Sequence, residues 1–541
     1  DCCCHCFDRE KEKEIRNNKC AALRRIYFKA RIMKTTCKID CGHKIGRIGE
    51  GIFGSFVEHF GRCVYTGIYQ PEHITADEKN GFRQDVADAV RRLGPSYLRW
   101  PGGNFVSGYD WKDGIGPLSE RRARPDLAWM QIEPNAVGTA EFVNYCQSVG
   151  SDVMMAVNLG TGTPKDACEL LEYCNFSGGT YYSDLRRKHG YSEPFRIKTW
   201  CLGNEMDGDW QICTHTAGEY GRKAAETAKM MKWLDPTVEL VACGSSGWLM
   251  PSCPEWDRIV LEHTYSHVDH ISLHRYYSCE DKNDPKKLTD YLCSCIDMDT
   301  YIRAIVAAAD YVRALKRGKK DIMLSFDEYN VISSRKMSDK RVVWEVGAPR
   351  SESVYDHCDA LVFASLLMTL IRHCDRVKLA CVAQLVNTLG LIVTEPGTEG
   401  RYCMQTIAYP FMLLHRCSGM TLLECPSSCD RKLTSEQYGE TDCVKVMAAE
   451  DEKGGILLFA LNLSGEGAEV EVVLPSAARG FRLRQKSVYA GELSACNTFD
   501  DPFCAVTRSE NEEKAVEGTF QTDVPGYSLS LFELESMGSG R

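Results

Sequence analysis

The sequence predicts an α/β fold: a (β/α)8 TIM barrel with a C-terminal antiparallel, jelly-roll-like β-sandwich completed by N-terminal strands. Three observations carry that expectation. Strand-like and helix-like stretches alternate eight times between residues 49 and 414. The strand-like stretches are almost continuously apolar, as parallel strands are when both faces of their sheet are buried. Past about His415 the helical period vanishes, and short apolar runs separated by Gly, Asp, Asn and Pro take over. A doubly wound open sheet is the competing arrangement, but eight units favour closure and no G-x-G-x-x-G turn follows the first strand.

Residues 1–22 read as a disordered leader. The run Cys2-Cys3-Cys4-His5-Cys6 is too contiguous for tetrahedral metal-ligand spacing, and the charged string at 8–14 has no apolar surface to bury. Between residues 23 and 48, Ile26, Phe28, Ala30 and Ile32 occupy alternate positions, and Cys37-Lys38-Ile39 and Ile45-Gly46-Arg47-Ile48 follow; these predict strands that join the sandwich. The first barrel strand is expected at 52–57, running into Glu58-His59. A helix carrying Phe82, Val86, Ala89, Val90 and Leu93 on one face closes at Gly94-Pro95. The second strand, 97–100, then leads to Pro101-Gly102-Gly103-Asn104.

A helix marked by Phe142, Val143, Cys146 and Val149 precedes the third strand at 153–158, and a helix near 167–174 precedes the fourth at 197–202. That fourth strand stops abruptly in Gly203-Asn204-Glu205, delivering an amide and a carboxylate together. Thr216-Ala217-Gly218-Glu219 is a capping box that opens the next helix, and Asp235-Pro236 ends it. The fifth strand is expected at 238–243, the sixth at 270–273 before His274, the seventh at 322–326 before Asp327-Glu328, and the eighth at 377–383 before Gln384. Helices near 255–264, 302–315 and 355–374 separate them. The sandwich, residues 415–541, has candidate strands at 444–446, 456–461, 470–474 and 529–532.

Composition narrows the function. A net charge of -10 and a pI near 5.8 speak against a nucleic-acid surface, which needs clustered Lys and Arg. No window reaches the roughly 18 consecutive apolar residues of a membrane helix, and the first thirty residues lack a signal-peptide core, so no membrane role and a cytoplasmic location are expected. Many of the 28 cysteines sit in apolar runs, as Cys146, Cys243 and Cys381 do, and read as small buried hydrophobes. The triplets at Asn175 and Asn462 match a glycosylation pattern that has no meaning in a cytoplasmic protein.

Barrel enzymes keep their chemistry at the C-terminal ends of the strands. Here those ends offer Glu58, Asn104, Asn158, Asn204, Glu205, His274, Tyr276, Asp327, Glu328 and Gln384. This set contains no Cys/His metal grouping and no phosphate cradle. Two carboxylates on the fourth and seventh strands, flanked by amides and aromatics, fit retaining glycoside hydrolysis, in which carboxyl groups about 5–5.5 Å apart serve as acid/base and nucleophile. The acid needs a raised pKa; the nucleophile must stay ionised, helped by donors such as Tyr276 or Arg99. Asn204 is placed to hold the sugar hydroxyl beside the reacting carbon. Each residue also has a plainer reading: Asn104 as turn chemistry, His274 as a satisfied barrel histidine, Glu58 as a structural partner of Arg62 or Arg99, Trp210 and Trp129 as core, Asp327 as an orienting group. Their convergence on one barrel face favours the functional reading.

Seven stretches resemble glycoside hydrolase family 51, the α-L-arabinofuranosidases. They are G-S-F-V-E-H-F-G-R from Gly54, R-W-P-G-G-N-F-V-S-G-Y from Arg99, M-A-V-N-L-G-T from Met155, T-W-C-L-G-N-E-M-D-G-D-W-Q from Thr199, S-L-H-R-Y-Y from Ser272, S-F-D-E-Y-N-V from Ser325 and A-Q-L-V-N from Ala383. The resemblance implies Glu205 as acid/base and Glu328 as nucleophile. It implies that Glu58, Asn104, Asn204, Tyr276 and Gln384 hold an arabinofuranose, with Trp210 and Trp129 shaping the pocket wall. It further implies an intracellular, cofactor-free and metal-free enzyme, often hexameric, that trims terminal arabinose from arabinoxylan or arabinan oligosaccharides. The chain departs from the family in Tyr329 and Arg275, where Trp and Gln are usual, and in lacking a Trp near Ile332; these bear on aglycone preference. A β-xylosidase or endoglucanase of the same clan is the alternative enzyme, and a catalytically inactive carbohydrate-binding relative the alternative of another class.

Overall fold

The structure is a computed structural model that describes residues 33–337, 343–475 and 480–537. The expected leader and the strand pattern before Met33 lie outside the described residues.

Eight parallel strands close on themselves in chain order: Gly54–Phe56, Tyr97–Trp100, Asp152–Val157, Thr199–Leu202, Glu239–Ala242, His270–Ser278, Met323–Ile332 and Val377–Val382. Strand periodicity explains their continuous apolarity. Met154, Ala156, Cys201, Val241, Leu379 and Cys381 form a small cluster inside the barrel, while Met155, Val157, Trp200, Leu202 and Leu240 pack outward against the helices. Side chains two apart share a face, so a strand buried on both faces has no polar position to spare. The interior cluster is the floor on which the polar groups of the C-terminal face stand.

The helices begin and end as their residues dictate. Thr216 caps Ala217–Leu234 by accepting from the Glu219 N–H, and that helix stops at Asp235. Gln84–Leu93 ends at Gly94 in the left-handed region, with φ of 68°, a conformation that costs glycine nothing.

The second domain is built of two sheets. One has seven strands in the order Asp40–Arg47, Thr421–Glu424, Val444–Glu450, Ile456–Asn462, Ser528–Ser536, Phe481–Ala490 and Thr507–Val516. The other pairs Met33–Lys38 antiparallel with Ser427–Cys429 and parallel with Ala468–Val473, which in turn pairs with Thr519–Val524. N-terminal strands thus complete both sheets. On Ile456–Asn462, Ile456, Leu458 and Ala460 face the sandwich core, whereas Phe459 and Leu461 join the large cluster shared with the barrel helices. The central sheet is therefore buried on both faces and anchors the sandwich to the barrel. Among the described residues no helix is long and apolar enough to cross a membrane.

The sixth and seventh strands run further than their apolar stretches suggest. His274 pairs with Glu328 and Tyr276 with Asn330 inside the ladder, after a register irregularity between Ser272 and His274. Apolarity ends at the depth where side chains stop packing the barrel floor and start facing the site, but the backbone hydrogen bonds continue.

Candidate active site

Gly203 and Glu205 both lie at positive φ, 94° and 42°. Glycine takes such a value freely; glutamate does so only when its surroundings hold it there, and such strain gathers at functional positions. The turn lifts Asn204 and Glu205 off the end of the fourth strand toward the barrel axis.

Arg99 stands at the centre, buried at the end of the second strand above the Phe56 ring. Its Nη1 donates to Glu328 Oε1 at 2.7 Å, its Nη2 donates to Asn204 Oδ1 at 2.8 Å, and its Nε lies 3.5 Å from Asp327 Oδ2. Tyr276 donates its hydroxyl proton to the other oxygen of Glu328 at 2.8 Å. Glu328 thus has a charged donor on one oxygen and a phenol on the other, and the two bonds fix its carboxyl group in place.

Glu205 has a different support. Trp210 donates its indole N–H to Oε2 at 2.6 Å, and His274 Nδ1 lies 2.8 Å from Oε1. His274 Nε2 lies 3.2 Å from Asp327 Oδ1, so the ring bridges two carboxylates. Burial works against its charge, but the Glu328 carboxylate and the bonds to Asp327 and Glu205 push its pKa up to about 10. His274 is therefore an imidazolium at neutral pH. Asp327 is buried too, and Arg99 and His274 still hold its carboxyl below the usual range. Glu205, His274 and Glu328 each present a ligand-type atom within 4.8 Å of the others, a set that a cation could also occupy. The imidazolium already supplies positive charge at that point.

Glu58 closes the far wall. Its carboxyl accepts from the Phe105 N–H at 3.1 Å, the Trp129 indole at 2.8 Å and the Gln384 amide at 3.0 Å. Burial, and next the charge of Glu328, push it up to about 8. Trp129 is itself stacked on Phe60, ring centroids 3.6 Å apart. Asn104 opens the short turn Asn104–Gly108 half-buried, its amide without a hydrogen-bond partner among the described residues. Trp210 is 49% exposed at the mouth.

The nine residues to which the family resemblance gives a role, Glu58, Asn104, Trp129, Asn204, Glu205, Trp210, Tyr276, Glu328 and Gln384, stand at this end of the barrel. Asn158 differs: its amide is consumed by Tyr109 O, Thr161 and the Gly162 N–H, and it ties its own loop to the one that follows the second strand. Tyr329 and Arg275 also face away from the centre. Tyr329 is buried and stacked on Phe363 of the helix His357–Arg372, and Arg275 pairs with Asp297 of the helix Ser294–Leu315. Three contacts escaped the sequence reading. Gln211 accepts from Asn204 at 3.4 Å and donates to Ser107, and the Phe105 N–H binds Glu58. Gln211 directly follows Trp210 and carried a signal; a backbone N–H carries none.

Residues 89–286 match the model of the α-L-arabinofuranosidase 1 domain, and residues 327–528 that of the α-L-arabinofuranosidase C-terminal domain. An intracellular exo-α-(1→5)-L-arabinofuranosidase of Acetivibrio thermocellus is 46% identical over 453 residues, 83% of this chain and 88% of the relative. One from Halalkalibacterium halodurans is 52% identical over 381 residues, 70% of this chain and 75% of the relative. A solved structure of a family 51 α-L-arabinofuranosidase from Bifidobacterium longum superposes with a TM-score of 0.86 at 36% identity, covering 93% of this chain and 100% of that one.

Proposed function

Because the chain belongs to the family 51 α-L-arabinofuranosidases, we propose that its hydrolysis runs through Glu205 as acid/base and Glu328 as nucleophile. The protein is a retaining, exo-acting α-L-arabinofuranosidase. One observation carries the assignment of the pair: an oxygen of Glu205 and an oxygen of Glu328 lie within 4.8 Å of each other. Retaining pairs stand about 5–5.5 Å apart, whereas inverting pairs leave about 6.5–9.5 Å for a water.

In this reading the Glu328 carboxylate attacks the anomeric carbon while Glu205 gives its proton to the leaving oxygen. A covalent arabinosyl-enzyme results. Glu205, now a carboxylate, takes a proton from water, and that water releases the sugar with its configuration retained. Arg99 and Tyr276 keep Glu328 aimed, and the bond from Trp210 orients Glu205. His274 lies between the carboxylates and offsets their mutual repulsion. Asn204, with its oxygen fixed by Arg99, turns its amide N–H toward the hydroxyl next to the reacting carbon. Asn104, Gln384 and Glu58 bind the remaining hydroxyls; with its pKa near 8, Glu58 stays a neutral carboxyl that donates as well as accepts at neutral pH.

The substrates in this reading are arabinan or arabinoxylan oligosaccharides, cut at terminal arabinofuranosyl groups inside the cell; the names of the Acetivibrio thermocellus and Halalkalibacterium halodurans relatives support the (1→5) linkage and the location. Assembly into hexamers rests on the family resemblance, and light scattering after size exclusion reads it directly. The catalytic test is release of nitrophenol from 4-nitrophenyl α-L-arabinofuranoside with proton NMR of the first-formed sugar. Cleavage of the β-xyloside in its place, or a first product of inverted configuration, would sink the assignment.

A further inference from the structure

Next to the reaction centre lies a polar cleft of about 340 Å³ built from both domains. The barrel supplies Arg275, Tyr277, Lys287 and Asp290, the sandwich supplies Tyr438, and Leu249 stands at the rim, 70% exposed. Tyr438 sits at the tip of the hairpin formed by Lys432–Ser435 and Gly439–Asp442. The hairpin is docked, because Ser435 donates to Asp290 at 2.5 Å and Lys286 reaches Glu436 at 2.9 Å. Tyr276 belongs to the same wall, and its hydroxyl binds Glu328. The cleft therefore starts where the sugar pocket ends.

Its direction matters. The leaving group has to lie on the side of Glu205, which protonates it. From there Asp207 accepts from the Ser246 N–H at 3.0 Å, joining the Glu205 turn to the loop that carries Leu249. A chain leaving Glu205 along this path meets Leu249 and then the cleft. The lining is already organised: Arg275 is paired with Asp297 at 2.8 Å and lies over the Tyr277 ring at 4.7 Å, and Lys287 is paired with Glu280 at 3.0 Å. With these cations offset by carboxylates, the cleft offers donors, acceptors and phenol rings with little net charge. That is the chemistry of a neutral, hydroxyl-rich ligand.

We propose that this two-domain cleft is a distal subsite for a pentose unit of the oligosaccharide substrate, held between the sixth-strand loop and the sandwich hairpin. The proposal rests on the arabinofuranosidase reading, so its test separates the two. Tyr438→Ala removes the hairpin's ring, and Leu249→Glu alters the exposed rim without disturbing packing. For Tyr438→Ala, KM for arabinotetraose should rise about fivefold, the worth of one aromatic contact, and for Leu249→Glu it should rise as the rim loses its apolar surface, while kcat/KM for 4-nitrophenyl α-L-arabinofuranoside stays at the wild-type value in both. Equal losses on both substrates, or unchanged KM for the tetraose, overturn the subsite. Calorimetry of arabinotetraose with the Glu328→Ala protein, with and without Tyr438→Ala, reads the cleft apart from turnover: affinity should fall about fivefold. Unchanged affinity refutes the cleft, whereas a wild type inactive on the aryl arabinoside refutes the catalytic reading alone.

Discussion

Glu205 and Glu328 come from parallel strands and meet within 4.8 Å, yet their settings differ in three respects. Glu205 lies beyond the end of its strand at positive φ, while Glu328 lies inside Met323–Ile332 in the ladder. Glu205 is bonded by a tryptophan that is itself half-exposed; Glu328 is bonded by an arginine that is fully buried. The donor on the other oxygen also differs, the Tyr276 phenol for Glu328 and the His274 ring for Glu205. The difference matches the demands of the two proposed roles. A nucleophile has to stay charged and keep its aim, which a rigid strand and two donors provide. An acid/base has to exchange protons with a leaving group and then with water, which a position at the pocket mouth permits.

Substitutions at the two carboxylates should break the comparison most visibly. Glu328→Ala should lower kcat by about 10⁴-fold or more on every substrate, since no later step proceeds without the covalent intermediate. Glu205→Ala should lose about 10²–10⁴-fold on an oligosaccharide and much less on the 4-nitrophenyl arabinoside, whose leaving group needs little protonation. Added azide should turn Glu205→Ala over to an arabinosyl azide of retained configuration, whereas any azide product of Glu328→Ala should be inverted; the same configuration from both would erase the distinction between the roles.

Smaller effects sharpen it. Tyr276→Phe removes one donor from Glu328 and should cost about 10–100-fold in kcat, the worth of a hydrogen bond to a charged group. The same change should leave azide rescue of Glu205→Ala intact. Glu58 tests the electrostatics through stability. Its folded pKa, about 8, lies above the ordinary 4.5, so its contribution is fully present below pH 4.5 and is lost as pH rises toward 8. Thermal melting of Glu58→Gln across that window should fall less steeply with pH than that of the wild type; parallel curves would show that Glu58 ionises freely.

The barrel was legible because parallel strands buried on both faces print as apolar runs, and Ile456–Asn462 printed the same way for the same reason. Strand limits were less legible at 270–278 and 323–332, where polar residues mark the change from floor to site and leave the hydrogen-bonded ladder uninterrupted. Glu205 and Glu328 could be read as a pair only after the strands had been counted. His274 looked equally like a satisfied core histidine, and its bridging position depends on Glu205 and Asp327, 69 and 53 residues away. Asn158 shows the opposite case: a polar residue at a strand end whose amide is taken up by Tyr109 O and the Gly162 N–H.

By itself the sequence determined the eight strand–helix units, the sandwich after them, and which strand ends carry carboxylates and amides, since local periodicity and turn chemistry depend on near neighbours. Tertiary structure alone decided that Arg99 would clamp Glu328, that His274 would be charged, that Tyr329 and Arg275 would face outward, and that a sandwich hairpin would close a cleft beside the pocket. The reason is physical: these features arise from burial and from charges far apart in sequence, and neither exists until the barrel has closed.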